Sequence, residues 1–278
     1  MSEEKGGCSG SCSSCSSSGG CSQQKLNDKM AHIGRKILVM SGKGGVGKSS
    51  VAASIALKLA ASGRKVGLLD ADFHGPSQPT IFGVNHLMQE CNDEEGIIPL
   101  PAVDNLGLVS IGLLIDEPDQ AVVWRGPAKM GVLKQLLEDT AWGELDDLVL
   151  DFPPGTGDEI LSACQLIPGE KLAVVVTTPQ EVSLADCRKC LDFCDKVNVK
   201  VMGIVENMSY FMCPDCKNKH ALFSADGGKL MAQAYKLPLL AQLPLDPAFM
   251  AACDNGTLPQ VIGNFAALDE LIANISKN

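Results

Sequence analysis

A short stretch of the chain carries the spacing of a phosphate-binding loop. Residues 41–50 read SGKGGVGKSS, and Gly42, Gly47, Lys48 and Ser49 satisfy the pattern G-x-x-x-x-G-K-[ST]. In such a loop the backbone N–H groups hold phosphates, the lysine reaches the β and γ oxygens, and the hydroxyl holds Mg²⁺. We therefore predict an ATP and Mg²⁺ site. Its expected residues are Gly42, Lys43, Gly44, Gly45, Val46, Gly47, Lys48, Ser49 and Ser50, with Ser49 as the Mg²⁺ ligand.

Acidic residues stand where two predicted strands end. The strand Val66–Asp70 continues into Asp72, and the strand Leu148–Asp151 is followed by FPPGTGD. A carboxylate at a strand end beside a phosphate loop can hold a Mg²⁺-bound water. Glycine after such an acid lets backbone N–H groups approach a γ-phosphate. Aspartates at strand ends also cap turns and helices, but a pair of them beside the loop favours the nucleotide site.

The elements around these motifs alternate along the chain. Apolar strands are predicted at 37–40, 66–70, 106–111, 148–151, 172–178 and 201–206, and helices at 50–62, 129–137, 181–197, 227–235 and 264–276. Such alternation predicts an α/β fold whose mostly parallel sheet has helices on both faces. The ligand then lies at the carboxyl ends of the strands, where the phosphate loop leads into a helix N-terminus.

Nine of the 12 cysteines fall into three groups. Cys213 and Cys216 form a C-x-x-C pair, which supplies two thiolates, whereas a four-iron cluster or a tetrahedral zinc site needs four ligands. A two-fold dimer would bring four sulfurs together, because an isologous interface apposes identical patches. Zinc in the same four-sulfur shell is the alternative. Cys187, Cys190 and Cys194 share one helix face and are interpreted as core, although a third metal site stays open.

The third group lies in an N-terminal segment of Ser, Gly and Cys. Four thiols fall within a C-x₃-C-x₂-C-x₅-C spacing and can ligate one [4Fe-4S] cluster; they are Cys8, Cys12, Cys15 and Cys21. The segment has no apolar face, so we predict a tail over 1–30 that is disordered without metal, followed by an ATPase domain over 31–278. The alternative is a flexible arm with incidental cysteines.

Composition excludes several functional classes. The net charge of −10 argues against nucleic acid or an anionic membrane as partner, since both need a basic face. The longest apolar runs have the length of strands, so no membrane-spanning segment is expected. The acidic start MSEEK is not a signal peptide, and the 12 cysteines fit a reducing compartment. The predicted location is cytoplasmic.

Lys43 adds a second lysine to the phosphate loop. The string KGGVGKS resembles the deviant Walker A motif of the nitrogenase-reductase, MinD and ParA group of P-loop ATPases. In that group the first lysine reaches the nucleotide of the partner subunit. The resemblance therefore implies that Lys43 acts in trans and Lys48 in cis, within a homodimer.

A longer series of motifs is similar to the Mrp/ApbC family of iron–sulfur cluster carrier ATPases. The series is DADFHGPS, WRGP, DFPPGTGD, ENMSYFMCPDC and LPLDP, within residues 35–278. The resemblance implies a slow ATPase that assembles [4Fe-4S] clusters and transfers them to apo-proteins. It implies a cluster bridged by Cys213 and Cys216 between subunits. The N-terminal tail of this chain is similar to that of the eukaryotic scaffold relatives of the family. The implied catalytic residues are Lys43, Lys48, Asp72 near the attacking water and Asp151 near Mg²⁺, and the implied base contacts are Asn207, Pro244 and Asp246.

Two other functions remain as alternatives. A MinD/ParA-like positioning ATPase usually needs a basic amphipathic tail, whereas the C-terminal helix has Lys277 as its single cation. An electron carrier similar to the nitrogenase iron protein also bridges a cluster between subunits. Its bridging cysteines lie far apart in sequence, unlike the pair at 213 and 216.

Overall fold

The computed structural model describes residues 18–92, 96–115 and 126–277. Its strands are β1 Ile33–Met40, β2 Val66–Asp70, β3 Cys91–Asn92, β4 Gly96–Ile97, β5 Leu100–Val103, β6 Leu106–Ser110, β7 Leu145–Asp151, β8 Leu172–Thr177, β9 Lys200–Met212, β10 Lys219–His220 and β11 Leu239–Leu245. Its α-helices are α1 Ser18–Ala31, α2 Lys48–Ala61, α3 Gln78–Ile81, α4 Gly126–Glu138, α5 Asp158–Leu166, α6 Glu181–Lys196, α7 Gly227–Tyr235, α8 Pro247–Asp254, α9 Leu258–Val261 and α10 Ala267–Ser276.

One sheet organises these elements. Its order is β10-β9-β8-β1-β7-β2-β6-β5, and β11 also pairs with β9. The pairs from β6 through β2, β7, β1 and β8 to β9 and β11 are parallel, while β5 and β10 are antiparallel additions at the edges. The central strands β1, β2, β7 and β8 end at the same edge of the sheet, so their carboxyl ends bring the predicted motifs together.

Both faces of the sheet are covered by helices. One apolar core contains α2 and α10 with inward residues of the central strands, and a second core on the other face contains residues of α1, α4, α5, α6 and α7. Near-continuous burial of β1, β2, β7 and β8 is expected for strands packed on two sides. The predicted α/β fold with a mostly parallel sheet is confirmed.

The element bounds differ from the predictions mainly where pairing extends a strand. The predicted bounds match for β2 and α7, whereas β1 begins four residues earlier, at Ile33, and β9 runs six residues further, to Met212. Strand β9 is longer because β11 and β10 pair with its second half. Within the described ranges no helix is long and apolar enough to cross a membrane.

Helix α1 corrects the prediction for the N-terminal segment. We expected a segment with no apolar face up to about residue 25 and a domain boundary at 30, but the helix runs from Ser18 to Ala31. Leu26 and Met30 are fully buried in the second core, one helical turn apart. The helix contains too few apolar residues for its buried face to be recognised from the sequence pattern. Cys8, Cys12 and Cys15 lie outside the described residues.

Removing the apolar face of α1 should destabilise the whole domain. Leu26→Ala deletes buried methyl groups at a site with no exposure, so the free energy of unfolding should fall by about 2–5 kcal/mol. Urea unfolding followed by circular dichroism measures this change. Gln24→Ala on the exposed side of the same helix is the matched control and should cost less than about 0.5 kcal/mol. Equal stability of the two variants would mean that α1 is not part of the cooperative core.

Candidate nucleotide and metal sites

The phosphate loop connects the end of β1 to the start of α2. Gly45 and Gly47 have φ angles of 77° and 80°, a left-handed conformation that favours glycine. A Cβ atom at Gly47 would also lie 2.2 Å from Nδ2 of Asn207. The loop therefore needs glycine for its backbone and for the close approach of Asn207. Its N–H groups lead into the N-terminus of α2, where the helix dipole favours an anion.

A groove of about 420 Å³ lies over this loop. Its lining includes all of the predicted loop residues except Gly42 and Val46; they are Lys43, Gly44, Gly45, Gly47, Lys48, Ser49 and Ser50. Asp72 also lines it, together with Ser77, Thr80 and Pro154. Lys43 is half-buried and has no ion-pair partner among the side chains that the structure describes. The groove is large enough for a polyphosphate chain.

Lys48 forms a buried ion pair with Asp151. Lys48 is 6% exposed and Asp151 is fully buried, and Nζ of Lys48 also lies 3.2 Å from Oγ of Ser49. The loop lysine and the carboxylate at the end of β7 thus neutralise each other in the structure. A phosphate that attracts Lys48 would have to compete with this carboxylate.

Two buried residues beside this pair were not predicted as site residues. Gln78 is fully buried; its Nε2 donates to Oδ2 of Asp151 at 2.8 Å and to the carbonyl of Ser49 at 3.0 Å. Asp70 is also fully buried and accepts hydrogen bonds from Ser110 and the backbone N–H groups of Gln78 and Asp72. The sequence signal for Asp70 is its position at the end of β2, whereas Gln78, the first residue of the short helix α3, carries no sequence signal.

Burial is the main cause of an unusual pKa at Asp70. Desolvation, reinforced by the nearby Asp151 carboxylate, raises the pKa of Asp70 to about 8. Backbone hydrogen bonds from Gln78 and Asp72 and the charge of Lys48 oppose this shift. Two neighbouring buried carboxylates beside one lysine cannot both ionise without cost. Burial and the Asp151 charge therefore favour the protonated form of Asp70.

The donor set fits a hard divalent cation. Lys48 contacts oxygen atoms of Ser49 and Asp151, and Gln78 contacts the carboxylates of Asp70 and Asp151; Oε1 of Gln78 is buried without a hydrogen-bond partner in the described part of the chain. Carboxylate, hydroxyl and amide oxygens suit Mg²⁺, which keeps several of its waters.

Asp72, 9% exposed, closes a turn by accepting from the N–H groups of His74 and Gly75.

A bulge in β9 brings Asn207 to the phosphate loop. The pairing of β9 with β11 shifts register between Glu206 and Tyr210, and Met208 has a φ of 54°. Bulges of this kind re-aim side chains next to active sites. Nδ2 of Asn207 donates to the carbonyl of Val46 at 2.9 Å. The residue predicted to contact the base thus also braces the loop.

An apolar cavity of about 120 Å³ adjoins Asn207. Pro244 and Asp246, the other predicted base contacts, line it together with Phe249 and Phe265. The two phenylalanine rings meet edge to face, with centroids 5.0 Å apart. Asp246 has a structural role as well, because its Oδ1 caps α8 by accepting from Ala248 at 2.8 Å. The cavity offers flat apolar walls of the kind that purine rings pack against.

The C-x-x-C pair lies on the hairpin that joins β9 to β10. Cys213 is half-buried, and Cys216 and His220 are exposed. The ligand atoms of the three side chains lie within 4.8 Å of one another, and Sγ of Cys216 is 3.6 Å from Nε2 of His220. Hydrogen bonds from the backbone of Asn218 and from Cys213 lower the pKa of the Cys216 thiol. His220 was not predicted as part of this site.

The helical cysteines lie in the core. Cys187, Cys190 and Cys194 have no exposed surface, and burial raises the pKa of Cys187 to about 12. Sγ of Cys194 lies 3.8 Å from Sδ of Met40 in β1. These thiols pack as small apolar groups, in agreement with their interpretation as core. Cys21 lies on α1, and the structure does not describe its side chain.

This arrangement of loop, helix and strand-end carboxylate defines a P-loop nucleoside triphosphatase. A sequence profile described as "ParA: NUBPL iron-transfer P-loop NTPase" matches residues 32–278. The chain belongs to this family of iron-transfer P-loop NTPases, within the ParA group, as its resemblance to iron–sulfur carriers implied.

Relatives extend over most of the chain. The iron-sulfur cluster carrier protein of Saccharolobus solfataricus is 48% identical, covering 84% of this chain and 78% of its own length. The human cytosolic Fe-S cluster assembly factor NUBP2 is 46% identical, covering 82% and 85%. A solved nucleotide-binding protein of Archaeoglobus fulgidus, in complex with ADP and with cobalt detected, is 37% identical with a TM-score of 0.76, covering 86% and 93%.

Asp70 should make stability depend on pH in the absence of nucleotide and Mg²⁺. Its pKa in the folded protein, about 8, lies above the ordinary value of 3.8. The stabilisation from Asp70 is complete below pH 3.8, the ordinary pKa. It is lost as the pH rises through about 8, the pKa in the folded protein, at about 1.4 kcal/mol per pH unit. Urea unfolding between about pH 5 and pH 8 measures the slope.

The Asp70→Asn variant cannot titrate at this position, so its stability should fall less steeply over that range. Asp104→Asn, at an exposed aspartate, is the control and should follow the unmodified protein. Parallel slopes for Asp70→Asn and the unmodified protein would show that Asp70 is already ionised in the fold.

Proposed function

We propose that the protein is an ATP-dependent carrier that assembles [4Fe-4S] clusters and delivers them to apo-proteins. The proposal combines its family, the names of its relatives, and the short distance along the chain between Asn207, which contacts the phosphate loop, and the thiols of Cys213 and Cys216. The cluster is cargo, held by Cys213 and Cys216. The tail thiols Cys8, Cys12, Cys15 and Cys21 are proposed as a second cluster site.

Strand β9 is the observation that carries this proposal. Asn207 in its bulge contacts the phosphate loop at the carbonyl of Val46, and Cys213 follows six residues later, immediately after the strand ends at Met212. The hairpin groove next to Cys213 and the base cavity next to Asn207 share Pro244 and Asp246 in their linings. Movement of Asn207 on nucleotide binding would therefore displace the thiols through a continuous backbone.

The proposed carrier is a homodimer, because one hairpin supplies two thiolates and a four-iron cluster takes four. Exposed apolar side chains flank the thiols in sequence: Met212 is 42% exposed and Leu222 is 52% exposed. Large exposed apolar groups are typical of interfaces. Lys43, half-buried in the groove without an ion-pair partner in the described ranges, is proposed to reach the partner's nucleotide.

The proposed hydrolysis begins with an exchange of partners at Lys48. The lysine would leave Asp151 for the β and γ phosphates of ATP, and Asp151 and Ser49 are the residues that would hold Mg²⁺. When bound, Mg²⁺ would neutralise phosphate charge in the transition state. Asp72, at the mouth of the groove, orients the attacking water. The cobalt detected in the Archaeoglobus relative supports a metal-binding role for such proteins.

Nucleotide binding and hydrolysis should be separable by mutation. Lys48→Ala removes a charged donor to the phosphates and should weaken ATP binding by roughly 10- to 100-fold. Asp72→Asn leaves the phosphate cradle intact, so affinity should be unchanged while hydrolysis slows by at least about tenfold. Calorimetry measures binding and phosphate release measures turnover.

Lys65→Ala, at an exposed lysine, is the control for loss of charge and should match the unmodified protein. Circular dichroism is needed for Lys48→Ala, since it leaves Asp151 buried without its cation. Equal losses of ATP affinity in Lys48→Ala and Asp72→Asn would contradict the assigned roles.

The two proposed cluster sites should be distinguishable by iron content. Replacing the four tail cysteines by Ser in the full chain should remove one cluster, about four irons per chain. The remaining bridged cluster corresponds to about two irons per chain and should disappear with Cys216→Ala in that background. Iron and sulfide analysis after anaerobic reconstitution measures both changes.

Cys91→Ala removes an exposed cysteine outside these motifs and should leave iron content unchanged. A [4Fe-4S] absorption spectrum that persists in the Cys216→Ala variant with a serine-substituted tail would rule out the bridged cluster. Equal iron with and without the tail cysteines would mean that these thiols are incidental.

A further inference from the structure

A histidine faces the thiol pair across the β9–β10 hairpin. His220 pairs with Phe211 in the antiparallel ladder, and Cys213 lies two residues beyond Phe211. Because side chains alternate along a strand, Phe211 and Cys213 lie on the same side as His220. Lys219 lies on the opposite side, with its Nζ 4.2 Å from the centre of the Tyr210 ring. The strand pairing thus fixes which side chain approaches the thiols.

Backbone hydrogen bonds close the turn between the strands. The N–H of Cys213 donates to the carbonyl of Asn218 at 3.0 Å, and the N–H of Lys217 donates to the carbonyl of Cys213 at 3.0 Å. Lys217 has a φ of 57°, which allows the tight reversal that returns the chain to His220. Three potential ligands, spaced C-x₂-C-x₃-H, are therefore held close together by backbone hydrogen bonds.

The sulfur–nitrogen separation matches a single tetrahedral ion. With metal–sulfur and metal–nitrogen bonds of about 2.3 and 2.0–2.1 Å, a thiolate sulfur and an imidazole nitrogen lie about 3.5–3.6 Å apart around a tetrahedral centre. The observed distance from Cys216 Sγ to His220 Nε2 is 3.6 Å. Each cysteine of a four-iron cubane binds its own iron atom, so cluster loading would require these sulfurs to separate.

We propose that Cys213, Cys216 and His220 form a mononuclear site for a zinc-type divalent ion within each chain. Two thiolates and one imidazole favour Zn²⁺ or Co²⁺ over Mg²⁺ or Ca²⁺. The fourth position is open to water or an incoming ligand, since the hairpin supplies three donors. The inference goes beyond the proposed function: the site shares two thiolates with the cluster site, so a divalent ion bound here competes with the cluster.

Cobalt(II) binding tests the site in the full chain with its four tail cysteines replaced by serine. We expect one Co²⁺ per chain, with thiolate-to-cobalt charge-transfer bands and the visible bands of a tetrahedral centre. His220→Ala should lower the Co²⁺ affinity by at least about tenfold and change the visible bands. Cys216→Ala should abolish the charge-transfer signal of the pair. His86→Ala, at an exposed histidine on another loop, is the control and should bind like its parent.

Stoichiometry and the response to His220→Ala decide the inference. One Co²⁺ per two chains with a four-thiolate spectrum, or identical affinity and spectrum in His220→Ala, would overturn it. Anaerobic reconstitution of the same proteins with iron and sulfide separates it from the proposed function. His220→Ala should keep its cluster, which needs only cysteines, and parent protein pre-loaded with Zn²⁺ should form less cluster. A parent protein that binds Co²⁺ as described but never forms a cluster would contradict the proposed function and support the mononuclear site.

Discussion

Two buried carboxylates and one buried lysine lie at the centre of the nucleotide site, and this charge balance constrains the rest of the structure. Lys48 satisfies Asp151, while Asp70 is left with neutral donors and a pKa raised to about 8 by burial. With two buried carboxylates and one lysine, the absence of a second cation favours protonation of Asp70. Mg²⁺ would balance the charge of the carboxylates, and the phosphates of ATP would balance the charge of Lys48. Ligand binding would therefore exchange the partners of charged groups that are already in place. The parallel sheet makes this possible, because β2 and β7 pair in register up to Asp70 and Asp151.

The proposed coupling between this centre and the thiols depends on one irregular strand. A regular β9 would direct Asn207 along the ladder with β11, but the bulge around Met208 turns it toward the phosphate loop. Glu206, fully buried just before the bulge, fixes the strand by accepting from Gln242 at 2.8 Å and from Ser209 and Gly228. Glu206 thus fixes the strand just before the bulge, and Asn207 within the bulge contacts the phosphate loop. Nucleotide chemistry and metal chemistry meet along a single chain segment.

The sequence predicts what periodicity and motif spacing encode. Strand β2 and helix α7 have the predicted bounds because their apolar runs end at Asp70 and Tyr235. Helix α1 was missed because its buried face, in the part of the helix whose side chains the structure describes, is marked by Leu26 and Met30 alone, and tertiary packing rather than pattern makes it helical.

The side-chain geometry of the site was beyond sequence reasoning. The role of Gln78 depends on a hydrogen bond to Asp151, 73 positions away. His220 meets Cys216 only because the hairpin closes. Residues inside a contiguous motif were therefore predictable, whereas partners brought by the fold were not.

The burial of the helical cysteines separates two kinds of oxidative damage. Cys187, Cys190 and Cys194 are sealed in the core with a thiol pKa at Cys187 of about 12, whereas Cys216 is exposed and its thiol pKa is lowered. Peroxide reacts with thiolates that it can reach. Oxidants would therefore consume the thiols of the C-x-x-C pair while the folded domain persists, and reduction of an early oxidation product would restore them without refolding. Core thiols would become reactive only when the domain opens, so their alkylation reports unfolding.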